Sequence, residues 1–195
     1  NPSESFRDLK IFNEVMGKRY GQANNLESYL MKANVQSYES MRSMFEAFRS
    51  NRPNTTGIVQ WMLNSAWPSF YWQLYDYYLL PAPAYYAVKK ANEPLQLIYN
   101  YGNHTVYAVN STLKRHDNAR AGYRMFDLQG RELFSDEQVV KLEENQSSKL
   151  FKLPAIYSAV FLKLSLLDEN NNEIAENFYW LPGKPDVYDW EKTNW

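Results

Sequence analysis

The sequence contains no cysteine and few of the residues that build common metal and nucleotide sites. Its 195 residues include two histidines and seven glycines, and the glycines do not cluster. Without cysteine there can be no disulfide bond, thiol nucleophile or cysteine-ligated metal. The scattered glycines exclude a glycine-rich phosphate loop, and His104 and His116 lack a second ligand at a spacing typical of metal sites. We therefore expect no metal and no cofactor, and we interpret both histidines as surface residues.

The chain also lacks an excess of positive charge and a long apolar run. Its formal net charge is −1 and its pI is about 6.2, which argues against a nucleic-acid partner held on a basic face. No run approaches the roughly 18 apolar residues of a membrane span, so we expect no membrane partner. Residues 1–4 are polar and lack an initiator methionine, from which we expect Asn1 to be a cut end. We expect a periplasmic or secreted protein.

Aromatic residues, by contrast, are abundant and make up 16% of the sequence. Ten of them lie within the 26 residues from Trp61 to Tyr86. Such rings combine a large apolar surface with a polar group in Trp and Tyr. The cluster therefore suits a core, a protein interface or the floor of a sugar site, and we interpret most of its members as core residues.

Apolar periodicity predicts helices in the first part of the chain, with one buried strand between them. Apolar residues at spacings of three and four predict a long helix over 25–50, and residues 5–19 form a shorter predicted helix. The almost wholly apolar run 57–63 is typical of a strand buried on both faces. Helix-like sequence follows it at 70–79 and 84–92. Helix, buried strand and helix together indicate an α/β architecture.

The sequence after Pro94 has the alternation of an antiparallel β-sandwich. In one segment, three leucines between 162 and 166 alternate with polar residues, the period of a strand with one buried face. Seven short strands at this spacing, separated by turn signals, predict a sandwich of about 85 residues. The predicted strands are 95–100, 104–111, 120–127, 137–143, 148–153, 159–167 and 174–181.

The predicted fold class is thus α/β plus all-β, divided near residue 93. We assign 1–93 to the α/β part, 94–182 to the sandwich and 183–195 to a linker or strap toward a further domain. A single buried strand cannot make a sheet, because each buried backbone group needs a partner. We therefore expect the chain to be a fragment that completes its sheet with missing upstream domains of the same protein.

No two carboxylates in the sequence stand out as a catalytic pair. A retaining glycosidase needs two, about 5–5.5 Å apart. Glu14, beside Asn13, lies within a helical pattern, and we interpret it as a solvated or capping residue. Asp76, between Tyr75 and Tyr77, is either held by tyrosine hydroxyls or placed to bind a polar ligand, and we favour the structural role.

Residues 57–69 are the most informative segment, because the predicted buried strand ends there in a Trp-Pro loop. In α/β barrels the active site lies at the C-terminal ends of the strands. Trp61 and Asn64 would then offer a stacking ring and an amide that can bond two hydroxyl groups. The alternative is that Trp61 packs under the loop and Asn64 caps the next turn, and the residue pattern alone does not decide between the two.

Four segments also resemble a known family. They are 56–64, 67–68, 72–79 and 84–94, with the sequences TGIVQWMLN, WP, WQLYDYYL and AYYAVKKANEP. This pattern is similar to glycoside hydrolase family 2, in the branch of the exo-β-D-glucosaminidases and β-mannosidases. The resemblance covers residues 1–110 closely, and beyond them only the class of fold agrees, as an immunoglobulin-like sandwich.

The resemblance implies the C-terminal part of a (β/α)8 TIM barrel followed by an antiparallel immunoglobulin-like β-sandwich. Residues 57–63 would be the last barrel strand, 70–92 the last barrel helices, and 25–50 the helix before that strand. The implied activity is that of a retaining exo-β-glycosidase acting on terminal β-linked sugars of an oligosaccharide or glycan. Both catalytic glutamates would lie upstream of Asn1, so this chain would hold no catalytic residue.

The resemblance also assigns four residues to substrate binding. Trp61 would be the sugar platform, Asn64 and Trp67 would lie at its rim, and Asp76 matches a Tyr-Asp position of the family. The Trp-Met-Leu-Asn segment favours an exo-β-D-glucosaminidase, and a β-mannosidase is the alternative. An aminosugar would need a nearby carboxylate for its ammonium group, whereas a mannoside would not.

A different class of function is a non-catalytic carbohydrate-binding or scaffold sandwich. A binding sandwich should expose aromatic rings on a strand face or loop, for which Tyr101, Tyr107, Tyr123 and Tyr157 are candidates. Strand aromatics are more often core residues. We therefore favour a scaffold role for the sandwich.

Overall fold

The computed structural model describes residues 9–68 and 73–183, which contain three helices followed by seven strands. The helices are α1 (Lys10–Tyr20), α2 (Leu26–Arg49) and α3 (Pro83–Ala91). The strands are β1 (Leu95–Asn100), β2 (Thr105–Asn110), β3 (His116–Phe126), β4 (Glu132–Leu142), β5 (Gln146–Lys152), β6 (Val160–Leu167) and β7 (Glu173–Leu181). None of the three helices combines the length and the apolar character that a membrane crossing requires.

The seven strands form two antiparallel sheets that pack face to face. One sheet has the order β1-β2-β5 and the other the order β4-β3-β6-β7. In β6 every second residue from Val160 to Leu166 is buried, as the alternating sequence predicts. The buried side chains of both sheets share one core, which includes Leu97, Val106 and Tyr179. All seven predicted strands are confirmed, and their arrangement is consistent with an immunoglobulin-like sandwich.

The long predicted helix is confirmed as α2, and its sequence sets both of its ends. The Asn25 side chain accepts a 2.8 Å hydrogen bond from the backbone N–H of Ser28 and so caps the first turn. At the other end the N–H of Ser50 reaches the carbonyl of Glu46, and the helix stops before Pro53, because proline disfavours helical geometry in the residue before it.

The buried charged residues of α2 lie on the face that is packed on the sandwich. Arg42, Glu46 and Arg49 are buried there. On the opposite face, four apolar side chains at helical spacing are exposed. We call these four residues the apolar stripe: Leu26, Leu30, Met44 and Phe48.

A second, smaller core lies between α2 and α3. Met41 and Phe45 of α2 contact three buried alanines of α3, and these small side chains let the two helices approach closely. Partly buried Ile58 and Leu74 pack on the same cluster. The loop between the two helices is therefore anchored at both of its ends.

The strand predicted over 57–63 is not formed. Val59 is 95% exposed and Trp61 is 77% exposed. Among the described residues of this region, the bridge from Asn64 to Tyr75 is the nearest pairing to the run. A strand needs neighbouring strands to pair its backbone groups, and the two sheets of the described chain contain none beside it. The described residues therefore show helices and a sandwich, and the expected barrel part of the fold class is not seen in them.

The other predicted helices have mixed outcomes. The helix predicted over 84–92 is confirmed as α3, and the one over 5–19 is confirmed from residue 10, since 5–8 lie outside the described residues. The helix predicted over 70–79 is wrong where it is described, because residues 73–79 form a bridge and turns. Within these turns the Asp76 side chain bonds the backbone, which competes with helix formation. Residues 70–72 and 184–195 lie outside the described chain.

Candidate functional site

The four residues expected to bind sugar lie on the loop between α2 and α3. Backbone hydrogen bonds fold this loop back on itself: the carbonyl of Leu63 accepts from the N–H groups of Leu74 and Tyr75, both at 3.0 Å. The N–H of Ala82 donates to the carbonyl of Leu74 at 2.9 Å. Because Ile58 and Leu74 are also packed on the helices, the loop has a fixed base and an exposed outer surface.

Trp61 and Trp67, the two tryptophans of the loop that the structure describes, present their side chains to the outside. Trp61 is 77% exposed and Trp67 is 69% exposed, which excludes the interpretation that Trp61 packs under the loop. Exposed indole rings on a loop whose base is fixed are suited to stacking on the apolar face of a ligand.

Asn64 and Asp76 lie on neighbouring backbone segments, because Asn64 forms a parallel bridge with Tyr75. The Asn64 amide donates a 3.2 Å hydrogen bond to the carbonyl of Ser65, and its side chain is partly buried. One carboxylate oxygen of Asp76 accepts a 2.9 Å bond from the N–H of Leu80, which closes a turn. The carboxylate therefore has a structural task, but its partner is a backbone N–H and not the tyrosine hydroxyls considered from the sequence. Trp67 lies farther along the loop, just before the residues that are not described.

Tyrosine rings of the second half of the loop and of α3 contact one another. The ring centroids of Tyr75 and Tyr85 are 5.1 Å apart, and those of Tyr85 and Tyr86 are 5.2 Å apart in an edge-to-face arrangement. Tyr77 and Tyr78 form a similar edge-to-face pair at 5.1 Å. Such contacts add to the stability of aromatic clusters, so the loop is held by its rings as well as by its backbone.

The strongest electrostatic feature lies elsewhere, where α2 meets β7. We call it the polar seam: Arg42, Glu46, Arg49, Asn177 and Tyr179. The two oxygens of the Glu46 carboxylate accept 3.0 Å hydrogen bonds from the Asn177 amide and the Tyr179 hydroxyl. Arg42 places its Nε 3.9 Å from the carboxylate and its guanidinium 4.2 Å from the centre of the Tyr179 ring. It also donates a 2.8 Å bond to the carbonyl of Phe178.

Burial dominates the ionisation of the polar seam. It raises the pKa of Glu46 to about 7, although Arg42 and the hydrogen bonds from Asn177 and Tyr179 act to lower it. Burial likewise raises the pKa of Tyr179 well above its usual value. Because all partners of Glu46 belong to the fold itself, we assign this carboxyl to structure rather than to catalysis.

Arg49 joins three elements at the other end of the polar seam. Its guanidinium donates to the carbonyl of Glu93 at 2.7 Å, to the Gln96 side chain at 3.0 Å, and to Ala91 and Ser111. Burial lowers the pKa of Arg49 to about 10. Sequence reasoning missed the polar seam, because charged residues at helical spacing are normally the solvated face of a helix. The signal that could have found it was the apolar stripe on the other face of α2.

Two clefts lie where the helices meet the sandwich. The first has a volume of about 600 Å³ and includes Tyr20, Tyr99 and His104 in its lining. The second has a volume of about 480 Å³ and lies between α2 and β7; we call it the α2–β7 cleft. The Tyr99 hydroxyl and Nδ1 of His104 are 2.6 Å apart, so this histidine is part of the packing near the first cleft. No group of three His, Asp or Glu side chains in residues 9–68 and 73–183 is arranged to hold a metal ion.

The four tyrosines considered as a binding surface have different positions in the sandwich. Tyr107 is buried, and Tyr123 packs against the core with its ring 5.2 Å from that of Phe151. Tyr101 is partly exposed beside the first cleft, and Tyr157 is almost fully exposed. They do not form one surface, so this set does not support a sugar platform.

The chain has relatives along its whole length. Residues 102–182 match the family of mannosidase Ig/CBM-like domains. Over 97% of its length the chain is 35% identical to an exo-β-D-glucosaminidase of Arthroderma benhamiae, of which it covers 22%. The crystal structure of the exo-chitosanase CsxA of Amycolatopsis orientalis matches all of the chain with a TM-score of 0.88 and 33% identity, and 24% of that protein is covered.

A more distant solved structure shares the fold. The β-D-mannosidase of Dictyoglomus thermophilum matches 92% of the chain with a TM-score of 0.78 and 21% identity, and 23% of that protein is covered. The chain therefore spans about a fifth to a quarter of the proteins that it matches. On its fold and on the identity maintained from the helices to the last strand, the chain belongs to the exo-β-D-glucosaminidase and β-mannosidase branch of glycoside hydrolase family 2.

Proposed function

We propose that the chain is part of a retaining exo-β-glycosidase that removes terminal β-linked D-glucosamine from an oligosaccharide or glycan. The observation that carries this proposal is the 35% identity with an exo-β-D-glucosaminidase over 97% of the chain. The exposed aromatic loop supports it, because a sugar ring has an apolar face that can lie on an indole ring. A β-mannosidase is the second candidate, favoured by the shared fold with the Dictyoglomus thermophilum enzyme.

The loop supplies substrate-binding residues in this proposal. Trp61 is the stacking platform, and the Asn64 amide bonds sugar hydroxyl groups. Trp67 lies at the rim. Asp76 uses one carboxylate oxygen in its turn, and it adds a negative charge close to Asn64 that suits the ammonium group of an aminosugar.

The catalytic acid and nucleophile come from outside this chain. Retention requires two carboxyl groups about 5–5.5 Å apart, one to protonate the leaving oxygen and one to attack the anomeric carbon. The two most buried carboxyl groups among those described with a shifted pKa are Glu39 and Glu46, and both pair with Arg42. Neither lies on the loop, so we place both catalytic glutamates upstream of Asn1.

The apolar stripe of α2 and the exposed run 57–63 define where the missing part of the molecule packs. We place residues 1–93 in the C-terminal part of a (β/α)8 barrel, with 57–63 completing its sheet. Residues 94–182 are the following sandwich, and 183–195 lead toward a further domain. The upstream barrel strands would supply the backbone partners that run 57–63 needs to become a strand. A polysaccharide substrate fits a periplasmic or secreted protein.

The test uses the full-length protein and an aryl β-D-glucosaminide. We expect Trp61→Ala to lower kcat/KM at least tenfold, which corresponds to about 1.4 kcal/mol of lost transition-state stabilisation. Tyr157→Ala, at a still more exposed aromatic residue outside the loop, is the control and should leave kcat/KM unchanged. Equal kcat/KM for wild type and Trp61→Ala would remove Trp61 from the site.

A further inference from the structure

The outer face of the four-stranded sheet carries a row of aromatic rings. The strand register pairs Phe126 with Phe161 and Phe161 with Trp180, so the three side chains share one face. Phe178 lies on the same face of β7, one pair along, with its ring centroid 5.6 Å from that of Phe161. Phe178 is 45% exposed and Trp180 is 43% exposed. A half-exposed aromatic row of this kind marks a contact surface.

The row continues into the α2–β7 cleft. Phe178, Trp180 and Tyr38 line the cleft together with the polar side chains of Asn34 and Glu176. Its volume of about 480 Å³ lies within the range of small-molecule sites, which are mostly apolar with a few polar groups. The cleft therefore offers rings for one face of a ligand and hydrogen-bonding groups for its edge.

The charges of the cleft are balanced. Its lining holds two acidic residues, Glu39 and Glu176, and two basic residues, Arg42 and Lys90. Glu39 lies 3.4 Å from Arg42, Lys90 lies 2.9 Å from Glu93, and Glu176 lies 3.2 Å from Lys163. With these side chains paired, a strongly charged ligand gains little from the site. Binding therefore depends on ring stacking and hydrogen bonds rather than on charge, and a ligand with many hydroxyl groups and an apolar face fits best.

We propose that the aromatic row and the α2–β7 cleft form a second carbohydrate subsite, which binds internal sugars of a β-linked polysaccharide. Pyranose rings stack on Phe178 and Trp180, and their hydroxyl groups bond to Asn34 and Glu176. This choice of ligand rests on the proposed glycosidase function. Holding a polymer at two places on one molecule raises the effective concentration of its chain end at the active site.

The test compares a polymer with a small substrate in the full-length protein. We expect Phe178→Ala to raise KM for soluble chitosan about fivefold and to leave KM and kcat for an aryl β-D-glucosaminide unchanged. Trp180→Ala should have the same effect. Phe134→Ala is the matched control, because Phe134 is 49% exposed and lies on β4, outside the cleft. Unchanged KM for chitosan in both cleft variants would overturn the subsite.

Affinity electrophoresis through gels containing soluble chitosan gives a second readout that does not depend on turnover. We expect the wild-type protein to be retarded, and Phe178→Ala to be retarded less while Phe134→Ala migrates like wild type. Retardation without turnover on any substrate would contradict the proposed activity and leave the subsite standing. Equal migration of wild type and Phe178→Ala would overturn the subsite.

Discussion

At the scale of single residues, Glu46 links α2 to β7 through its buried carboxyl group. Burial raises the pKa of its carboxyl from 4.5 to about 7, while two donors and Arg42 surround it. A carboxyl with a raised pKa in the folded state holds a proton that the unfolded chain has already released. The free energy of unfolding then falls as the pH rises from about 4.5 to about 7. The full shift in the pKa of Glu46 corresponds to about 3 kcal/mol.

This gives a pH-dependent prediction. The Tm of the wild-type protein should fall between pH 5 and pH 7.5 by more than the Tm of Glu46→Gln, because the variant has no proton to lose at this position. Glu169→Gln, an exposed residue in a turn, is the control and should follow the wild-type curve. Calorimetry at several pH values measures the difference. Parallel curves for wild type and Glu46→Gln would show that Glu46 does not titrate in this window.

Arg49 leads to a second residue-scale prediction. Its planar guanidinium reaches acceptors on α3, on β1 and in the segments that follow α3 and β2, whereas an ammonium group cannot reach all of them from one position. We expect Arg49→Lys to lower the free energy of unfolding by about 2–4 kcal/mol, since buried acceptors lose their donors. Arg131→Lys, in an exposed pair with Asp127, should change it by less than about 1 kcal/mol. Urea denaturation compares the two, and equal effects would contradict the role of Arg49.

At the scale of elements, the bounds of α2 could be predicted from the sequence, whereas the face that it packs on the sandwich could not. Apolar spacing predicts the helix and nearly its exact bounds, because a helix satisfies its own backbone hydrogen bonds. The same spacing does not reveal which face meets the sandwich. The face of α2 that contacts the sandwich holds Arg42, Glu46 and Arg49. Burial of Glu46 there requires its partners Asn177 and Tyr179, which follow it by more than a hundred residues in the sequence. The strand predicted over 57–63 is not formed for a related reason, because a strand depends on neighbouring strands that its own sequence does not specify.

The substrate-binding role of the loop residues stays a prediction. Trp61 and Trp67 are exposed, and the turn that Asp76 closes with Leu80 depends on backbone geometry that the sequence does not show. The aromatic row of the sandwich was missed, because Phe126, Phe161 and Trp180 become neighbours only through the strand register.

The apolar stripe yields a prediction for the element that carries it. The 195-residue chain should self-associate at micromolar concentration, because the apolar stripe of α2 is exposed. Met44→Gln with Leu30→Gln should reduce this association and keep helix propensity nearly unchanged. Light scattering after size exclusion measures it. In the full-length protein the same pair should lower the Tm, and an unchanged Tm would contradict the packing proposed for the stripe.

At the scale of the whole molecule, α2 and α3 connect the polar seam to the exposed loop. The polar seam fixes the sandwich to the helices, and the helices fix the base of the loop through Ile58 and Leu74. In the proposed enzyme, the sandwich therefore helps to position a sugar-binding loop beside catalytic carboxyl groups of the upstream barrel. Loosening the polar seam would then disturb substrate binding as well as stability.

The proposed activity of the full-length protein is that of an exo-β-D-glucosaminidase. The most direct measurement is a time course of the products released from an oligosaccharide of β-linked D-glucosamine and, in parallel, from a β-linked manno-oligosaccharide, both separated by anion-exchange chromatography. We predict that free glucosamine appears first, one residue at a time, and that the manno-oligosaccharide is left intact. Release of mannose alone, or of no sugar from either substrate, would contradict this activity.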